Sequence, residues 1–170
     1  MPIQTSDYIS VKDRALSLGC NTPTGIAILP ENFVNARTKG ELFYGPAAYD
    51  LRENFQNGGI PETPLENEGD EFLTHLQESE ISELILPTIF VGYALYVQNP
   101  HLIDLALSVI ANYITDWFKN IGGKQSTTVN AELNIVVETN GRKCVKVKYK
   151  GPVAGLDKVR AIVREINSRD

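Results

Sequence analysis

The segment NAELNIVVETNGRKCVKVKYK, residues 130–150, decides the fold of this 170-residue chain. Asn140-Gly141 stands between two runs in which apolar and polar residues alternate, and this pattern is a strong signal for a β-hairpin. A three-residue loop, with Gly141 in the left-handed conformation, predicts that the apolar side chains of both strands share one face. The predicted cross-strand pairs are Ile135 with Val145, Leu133 with Val147, Ala131 with Tyr149, Glu138 with Arg142 and Glu132 with Lys148.

The residues after the hairpin predict a helix, about residues 156–167, that covers this apolar face. Its apolar residues recur at helical spacing and form one stripe. Residues 124–168 are therefore interpreted as a ββα unit. A longer helix is predicted over 100–121, with Asn99 as its N-cap and Pro100 at its first position. Apolar residues on most sides of this helix indicate that several neighbours pack around it.

Two patterns recur in the same order in the first part of the chain. ILPENFV at 28–34 returns as ILPTIFV at 85–91, and Pro-x-x-x-Asp-Leu follows each copy, at 46–51 and at 100–105. Ordered repeats of this kind are typical of duplicated structural units. Chance similarity among common apolar residues is the alternative explanation.

These patterns predict an α+β fold in a single compact domain, residues 1–170. Two related helix–strand–helix units, residues 9–59 and 70–121, would surround the central helix 100–121 as an internal repeat. The ββα unit, residues 124–168, would follow them. This organisation concerns architecture and indicates no chemistry by itself.

Charge is distributed unevenly along the chain. Residues 1–118 contain five Lys and Arg against 16 Asp and Glu, whereas residues 119–170 contain 11 against five. The formal net charge is −11 in the first part and +6 in the second, within a total of −5. A basic surface attracts nucleic acid, an anionic membrane or an acidic protein, whereas an acidic surface repels the first two. The C-terminal part is therefore the candidate contact surface.

The predicted binding residues are Lys146, Lys148 and Lys150, at alternate positions of the second hairpin strand, together with Arg142. Alternation places the lysines opposite Tyr149, so they lack the interleaved aromatic ring of a single-strand nucleic-acid platform. One interpretation is a contact with an acidic partner, with the acidic loop 61–70 of a second copy, or with nucleic acid. The other is a solvated face whose lysines protect the sheet edge.

A second candidate site involves Glu71, His75 and Glu78. A helix predicted over residues 71–79 would place them on one face, where they could hold a metal ion or support base catalysis. A solvated helix face is the alternative, because His101 and the two cysteines supply no third ligand in a metal-binding spacing. No G-x-S-x-G, G-x-G-x-x-G or H-E-x-x-H motif occurs. We therefore predict no catalytic residue and no cofactor.

Cys20 and Cys144 stand far apart in the sequence, which is typical of reduced thiols in a cytoplasmic protein. The first ten residues lack the pattern of a secretory signal. Residues 84–103 carry no formal charge, but their longest uninterrupted apolar run, 89–97, is too short to span a bilayer. We expect a cytoplasmic protein without a membrane partner.

The function expected from these observations is that of a non-catalytic binding, adaptor or regulatory protein. Its basic hairpin face would contact an acidic partner or a second copy of the chain. A nucleic-acid-binding accessory protein is one alternative, and a small metal-dependent hydrolase centred on Glu71, His75 and Glu78 is another. The missing catalytic motifs favour a non-enzyme without excluding an enzyme.

Overall fold

The structure, a computed structural model, describes residues 3–74, 83–120, 130–140 and 143–168. Within these ranges the strands are Ile3–Tyr8 (β1), Ile26–Ile28 (β2), Phe43–Tyr44 (β3), Leu73–Thr74 (β4), Glu83–Ile85 (β5), Ile89–Val91 (β6), Asn130–Glu138 (β7) and Cys144–Gly151 (β8). The α-helices are Val11–Leu18 (α1), Pro46–Asn57 (α2), Tyr93–Gln98 (α3), His101–Asn120 (α4) and Leu156–Ser168 (α5). The chain combines helices with a sheet of parallel and antiparallel strands. The predicted α+β class is therefore confirmed.

The main sheet has the strand order β1-β8-β7-β6-β2, and β5 also pairs with β7. The strand β8 is antiparallel to both β1 and β7. The other edge of β7 pairs in parallel with β5 and then with β6, which lie end to end along it. The short strands β3 and β4 form a separate parallel pair. The C-terminal strands β7 and β8 therefore lie in the middle of the sheet, between strands from the N-terminal part.

One face of the sheet is apolar, as the hairpin pattern predicts. Val147 and Tyr149 of β8 are buried, and so are the β7 side chains beside them. Helix α5 packs on β7 and β8, and α4 packs on α5 and α2. The stripe of α5 that faces this core consists of the buried residues Leu156, Val159, Val163 and Ile166. The described elements β7, β8 and α5 follow one another in the predicted order, and the unit 124–168 stays a prediction.

The predicted register of the hairpin is wrong by two residues. Ile135 lies opposite Val147, Leu133 opposite Tyr149, and Glu138 opposite Cys144. The loop is longer than predicted, because the backbone N–H and the hydroxyl of Thr139 both donate to the carbonyl of Lys143, at 2.7 and 2.9 Å. A shift of two residues keeps every side chain on its predicted face, because side chains alternate with a period of two.

Local sequence chemistry accounts for where three helices begin or end. The hydroxyl of Ser10 caps α1 by accepting from the backbone N–H of Asp13, and Gly19 ends it in the left-handed conformation, with φ 77°. Pro46 occupies the first turn of α2, where its missing N–H costs nothing. Pro100 precedes α4, which begins one residue later than predicted. None of the described helices is long and apolar enough to cross a membrane.

The two copies of the repeated pattern share their first half. Each Ile ends a strand, Ile28 in β2 and Ile85 in β5, and the following Leu-Pro pair is buried in both copies. The second halves differ, because residues 31–35 form a turn whereas residues 89–91 form β6. Both Pro-x-x-x-Asp-Leu patterns lie at the start of a long helix, α2 or α4. Duplication of residues 9–59 as 70–121 stays a prediction.

The helix predicted over residues 71–79 is wrong in its described part. Glu71 is exposed and lies outside regular structure, and Leu73–Thr74 forms β4 beside β3. The carbonyl of Leu42 accepts the backbone N–H of Leu73 at 3.1 Å, so a distant segment satisfies this backbone. Residues 75–79 lie outside the described part of the chain. Tertiary pairing overrides local helix propensity here.

Candidate functional site

The predicted lysines lie on the side of β8 opposite the buried Val147 and Tyr149, and the first strand, β1, provides their neighbours. Strand β1 pairs with β8 so that Gln4 lies opposite Lys148 and Ser6 lies opposite Lys146. These side chains point to the same face because directly paired residues share a side of the sheet. We name this surface the basic face and define it by Gln4, Ser6, Lys146, Lys148 and Lys150. Sequence reasoning missed β1, since IQTSDY has no apolar alternation.

The basic face is partly open to solvent. Gln4, Ser6 and Lys150 are exposed, whereas Lys146 and Lys148 are half-buried at their stems. Lys148 keeps 44% of its side chain exposed and places its Nζ 3.3 Å from Oε1 of Glu132. The predicted pairing of these two residues is therefore present, although Glu132 lies directly opposite Lys150. Among the described ion pairs, Glu132 is the carboxylate that contacts a lysine of this surface, and the three lysines give the surface a formal positive charge. Arg142, the fourth predicted binding residue, lies outside the described residues.

Tyr149 is buried on the opposite face of β8, as predicted. Its exposed fraction is 2%, and its hydroxyl donates to the backbone carbonyl of Pro152. This hydrogen bond fixes the short turn Val153–Gly155 that leads into α5. The ring therefore supports the core and is unavailable for stacking on a nucleotide base.

Toward the end of β7, a side chain of α1 contacts the lysine-bearing sheet face. Glu138 of β7 is only 2% exposed there. Its Oε1 lies 3.1 Å from Nζ of Lys12 and accepts the backbone N–H of Tyr93 at 3.0 Å. One buried carboxylate thus ties α1 and the start of α3 to the sheet. Its second oxygen has no hydrogen-bond partner within the described ranges.

The two cysteines are buried and unbridged. Burial is the main reason that the pKa of Cys20 and the pKa of Cys144 both lie above the ordinary thiol value. The reactive form of cysteine is the thiolate, which such surroundings disfavour. These thiols therefore have the character of core residues and not of nucleophiles.

A polar cluster that sequence reasoning missed surrounds Arg52 of α2. Its guanidinium donates two hydrogen bonds to Glu62, at 2.8 and 3.0 Å, and two to Glu66, at 2.9 and 3.4 Å. The hydroxyl of Tyr44 donates to Glu66 at 2.6 Å and accepts from Arg52 at 3.1 Å. Burial tends to lower the pKa of Arg52, but its hydrogen bonds to the two carboxylates outweigh that effect and raise it. The pKa of Tyr44 is raised by burial and by Glu66.

This cluster changes the interpretation of the acidic loop 61–70. Glu62 and Glu66 are paired with Arg52, and Asp70 lies 3.1 Å from Nζ of Lys39. The hydrogen bond from Lys39 lowers the pKa of Asp70. Three of the acids in this loop are therefore engaged within the same molecule, and fewer remain for the basic face of another copy.

The proposed metal ligands are not brought together by the described structure. Glu71 is exposed and non-helical, and His75 and Glu78 lie outside the described residues. Among residues 3–74, 83–120, 130–140 and 143–168, no group of three or more His, Cys, Asp and Glu side chains is arranged to hold a metal ion. The helical spacing that motivated this site does not begin at Glu71.

Comparisons with protein-family models, with curated proteins and with solved structures found no match to this chain. The candidate sites are therefore interpreted from their own residues and geometry.

Proposed function

We propose that this protein is a non-catalytic adaptor or regulatory module that binds an acidic segment of a partner protein through its basic face. The observation that carries this proposal is the position of the lysines on β8, the strand next to the edge strand β1. Among the described strands β1 is the edge of the sheet, and Gln4 to Asp7 are all exposed. An exposed edge strand offers unpaired backbone groups that an extended peptide can bind by adding a strand.

The spacing of a sheet supports this mode of binding. An added strand would lie about 4.8 Å from β1 and about twice that distance from β8. The flexible four-carbon stem of lysine can reach across β1 toward carboxylates at alternate positions of the added strand. Gln4 and Ser6, which lie between, carry no charge that would oppose such a contact.

A second copy of the chain is the less favoured occupant. Antiparallel pairing of β1 with its own counterpart would bring two sets of lysines to one face of a continuous sheet, without neutralising either set. The acidic loop, the other surface through which two copies could join, is largely engaged by Arg52 and Lys39. An acidic partner of different sequence satisfies the charges better.

Nucleic acid is the competing ligand class for this surface. Glu132 lies among the lysines and would approach phosphates, and the Tyr149 ring is unavailable for stacking. Both features weaken a phosphate-binding role relative to recognition of carboxylates, which lysines bind as point charges. We also propose a cytoplasmic location, which the two unbridged thiols support.

The experiment is selection of random displayed peptides on the purified protein, followed by anisotropy measurements with an enriched peptide. We expect enrichment of Asp and Glu at alternate positions. The variant Lys146→Glu/Lys148→Glu/Lys150→Glu should lower the affinity of that peptide by at least about tenfold. The variant Lys119→Glu/Lys143→Glu/Lys158→Glu, with the same net charge and changes at exposed positions, is the matched control.

Three results would contradict the proposal. Selected peptides could lack acidic residues, or the two triple variants could bind equally well. An oligothymidylate probe could instead bind more tightly than the enriched peptide, with an affinity that falls steeply with salt, and this result would favour the nucleic-acid alternative. Light scattering on the same samples reports self-association, and a dimer lost only in the first variant would favour the second-copy alternative.

A further inference from the structure

A cleft of about 360 Å³ opens between α2, α4 and the connection from β5 to β6. This volume lies within the range of small-molecule sites, which are concave and combine apolar walls with a few polar groups. Its lining residues are Glu31, Pro46, Ala47, Asp50, Leu84, Ile85, Leu86, Pro87, Thr88, Tyr113, Trp117 and Asn134. The cleft shares no described lining residue with the basic face or with the Arg52 cluster, although its Asn134 lies directly opposite Lys148 of the basic face.

The lining has the chemistry of a cation site. Among the described residues that line it are two carboxylates, Glu31 and Asp50, and two aromatic rings, Tyr113 and Trp117, but no Lys, Arg or His. The rings are only half-buried and stand one helical turn apart on α4, so both can present a face to a ligand. The side-chain oxygen of Asn134 is buried and has no hydrogen-bond partner within the described residues. Carboxylates, ring faces and this acceptor all favour a positively charged donor.

A comparison within the chain shows that Asp50 lacks the partner its counterpart has. Asp104 holds the equivalent position in the second Pro-x-x-x-Asp-Leu pattern, and Arg164 and Arg160 of α5 lie 2.5 and 3.4 Å from its carboxylate. Asp50 makes no ion pair within the described residues, and its hydrogen bond is from the Tyr113 hydroxyl at 3.4 Å. The cleft therefore presents a carboxylate where the related position contacts two guanidinium groups.

Three of the four repeated patterns meet in this cleft. Glu31 follows the first Ile-Leu-Pro, Pro46 and Asp50 belong to the first helix pattern, and residues 85–88 come from the second Ile-Leu-Pro-Thr. Gly45 leaves room for the carboxylate of Glu31 at the start of α2, where the helix dipole favours negative charge. The repeats therefore supply walls of one site, in addition to elements of the fold.

We propose that this cleft binds a small organic cation, a protonated amine on a compact apolar body. Its ammonium group pairs with Asp50 and lies against the rings of Trp117 and Tyr113, and its apolar body packs on Pro46, Ala47 and Pro87. Aromatic walls favour an organic cation over a hard metal ion, because Ca²⁺ takes six to eight oxygen ligands and gains little from ring faces. This proposal and that for the basic face rest on different residues and are tested with different variants, so the failure of one is distinguishable from the failure of the other.

Trp117 makes the test direct, because it is the only tryptophan of the chain. Intrinsic fluorescence of the full-length protein is recorded during titration with 2-phenylethylamine and with 1,4-diaminobutane, and calorimetry provides a second readout. We expect a saturable change with at least one amine and none with 2-phenylethanol, the neutral analogue. Equal binding of the alcohol, a response to Ca²⁺ alone, or no saturable response to either amine would overturn the proposal.

Two variants locate the binding on the cleft. Asp50→Asn should weaken the amine by at least about tenfold, the loss expected for a hydrogen-bonded charge partner. Glu53→Gln, one turn further along α2 and outside the cleft, is the control and should bind like the parent chain. Trp117→Phe, measured by calorimetry, should weaken binding severalfold and keep the discrimination against the alcohol. Unchanged binding by folded Asp50→Asn protein would contradict the site.

Discussion

The charge of Arg52 is contacted by two carboxylates and two tyrosine rings. It joins α2 to Glu62 and Glu66 of the loop, and it lies over the rings of Tyr44 and Tyr49, 5.1 and 5.9 Å from their centroids. The fork of its guanidinium fits the two carboxylates in a way that lysine could not reproduce. The loop is therefore held in place by charge recognition and not by regular secondary structure.

Replacing Arg52 should destabilise the protein more than replacing an exposed arginine. Arg52→Ala leaves two poorly exposed carboxylates close together, and we expect the free energy of unfolding to fall by about 2–3 kcal/mol, below the range for fully buried pairs. Urea denaturation measures this change. Arg37→Ala, at an exposed position, should stay within roughly 0.5 kcal/mol of the parent. Adding Glu66→Gln to Arg52→Ala should restore part of the loss, and a further loss would contradict the charge explanation.

Tyr113 should make stability depend on alkaline pH. Burial and then the charge of Asp50 raise its pKa to about 12. The hydroxyl is neutral in both states below the ordinary tyrosine pKa of about 10. Above that pH only the unfolded state ionises fully, so the stability contributed by Tyr113 is lost as pH rises from about 10 toward about 12.

Difference titration of tyrosinate absorbance between the parent chain and Tyr113→Phe isolates this group. Asp50→Asn should lower the pKa of Tyr113, because it removes a charge that opposes ionisation, whereas Glu53→Gln should leave it unchanged. Urea midpoints measured over the same pH range should fall less steeply in Tyr113→Phe. A Tyr113 that titrates near the ordinary value in the folded protein would contradict the packing of α2 on α4.

At the scale of elements, α3 meets the start of β2 at a glycine. A Cβ on Gly92 would overlap the backbone carbonyl of Thr24, and the N–H of Gly92 donates to the carbonyl of Gly25 at 2.9 Å. The backbone of Gly92 is extended, with φ −75°, so the requirement for glycine comes from close approach and not from its conformation. Backbone atoms cannot withdraw as the end of a flexible side chain can.

Gly92→Ala should therefore separate β2 from the start of α3. We expect a loss of about 1–3 kcal/mol in the free energy of unfolding, typical of overpacking at a tight site. Gly40→Ala is the matched control, because the nearest atom to its added methyl group would be 3.9 Å away. Thermal or urea unfolding of the two variants decides the point, and equal stability would refute the close approach.

Elements with a local signal could be predicted, and elements with distant partners could not. Neighbouring residues alone determine the apolar stripe of α5, the proline before α4 and the alternation along β7 and β8. Strands β1 and β4 were not predicted, because their partners are distant in sequence: Ile3 pairs with Tyr149, and Leu73 pairs with Phe43. The hairpin loop was misjudged because Asn-Gly signals a turn without determining how far Thr139 and Lys143 extend it.

The candidate sites also differ in whether a local sequence pattern could predict them. The lysines of the basic face could be predicted because alternation along one strand determines their side. The cleft could not, since its walls come from five segments of the chain, and α4 residues such as Trp117 carry the periodicity of a core helix. Charge pairing in the Arg52 cluster likewise depends on how a loop returns to a helix, which no local pattern specifies.

At the scale of the whole molecule, the acidic and basic parts of the chain are joined by ion pairs. Lys12 in the N-terminal part pairs with Glu138, and Asp104 pairs with Arg160 and Arg164 of α5. The Asp104 pairs neutralise part of the charge asymmetry, whereas the Lys12–Glu138 pair joins the minority charge of each part. The basic face is a region where lysines outnumber the carboxylate beside them.

The shared sheet predicts one cooperative unfolding transition. Val147→Ala removes buried volume from β8 and should cost about 2 kcal/mol. The same shift of the urea midpoint should be seen by Trp117 fluorescence, which reports α4, and by far-UV circular dichroism, which reports the whole chain. Thr5→Ala, at an exposed position of β1, is the control. Two separated transitions would show that the C-terminal unit unfolds on its own.

The strand order also has a consequence for synthesis on the ribosome. Strand β1 is translated well before its partner β8, Cys144–Gly151, so it waits unpaired while the elements between them are made. The same holds for β6, whose parallel partner β7 is translated after α4. Nascent chains fold from the N-terminus where they can, but here the sheet closes only after β8 has emerged. A truncated translation product would therefore expose both strands to chaperones or to aggregation.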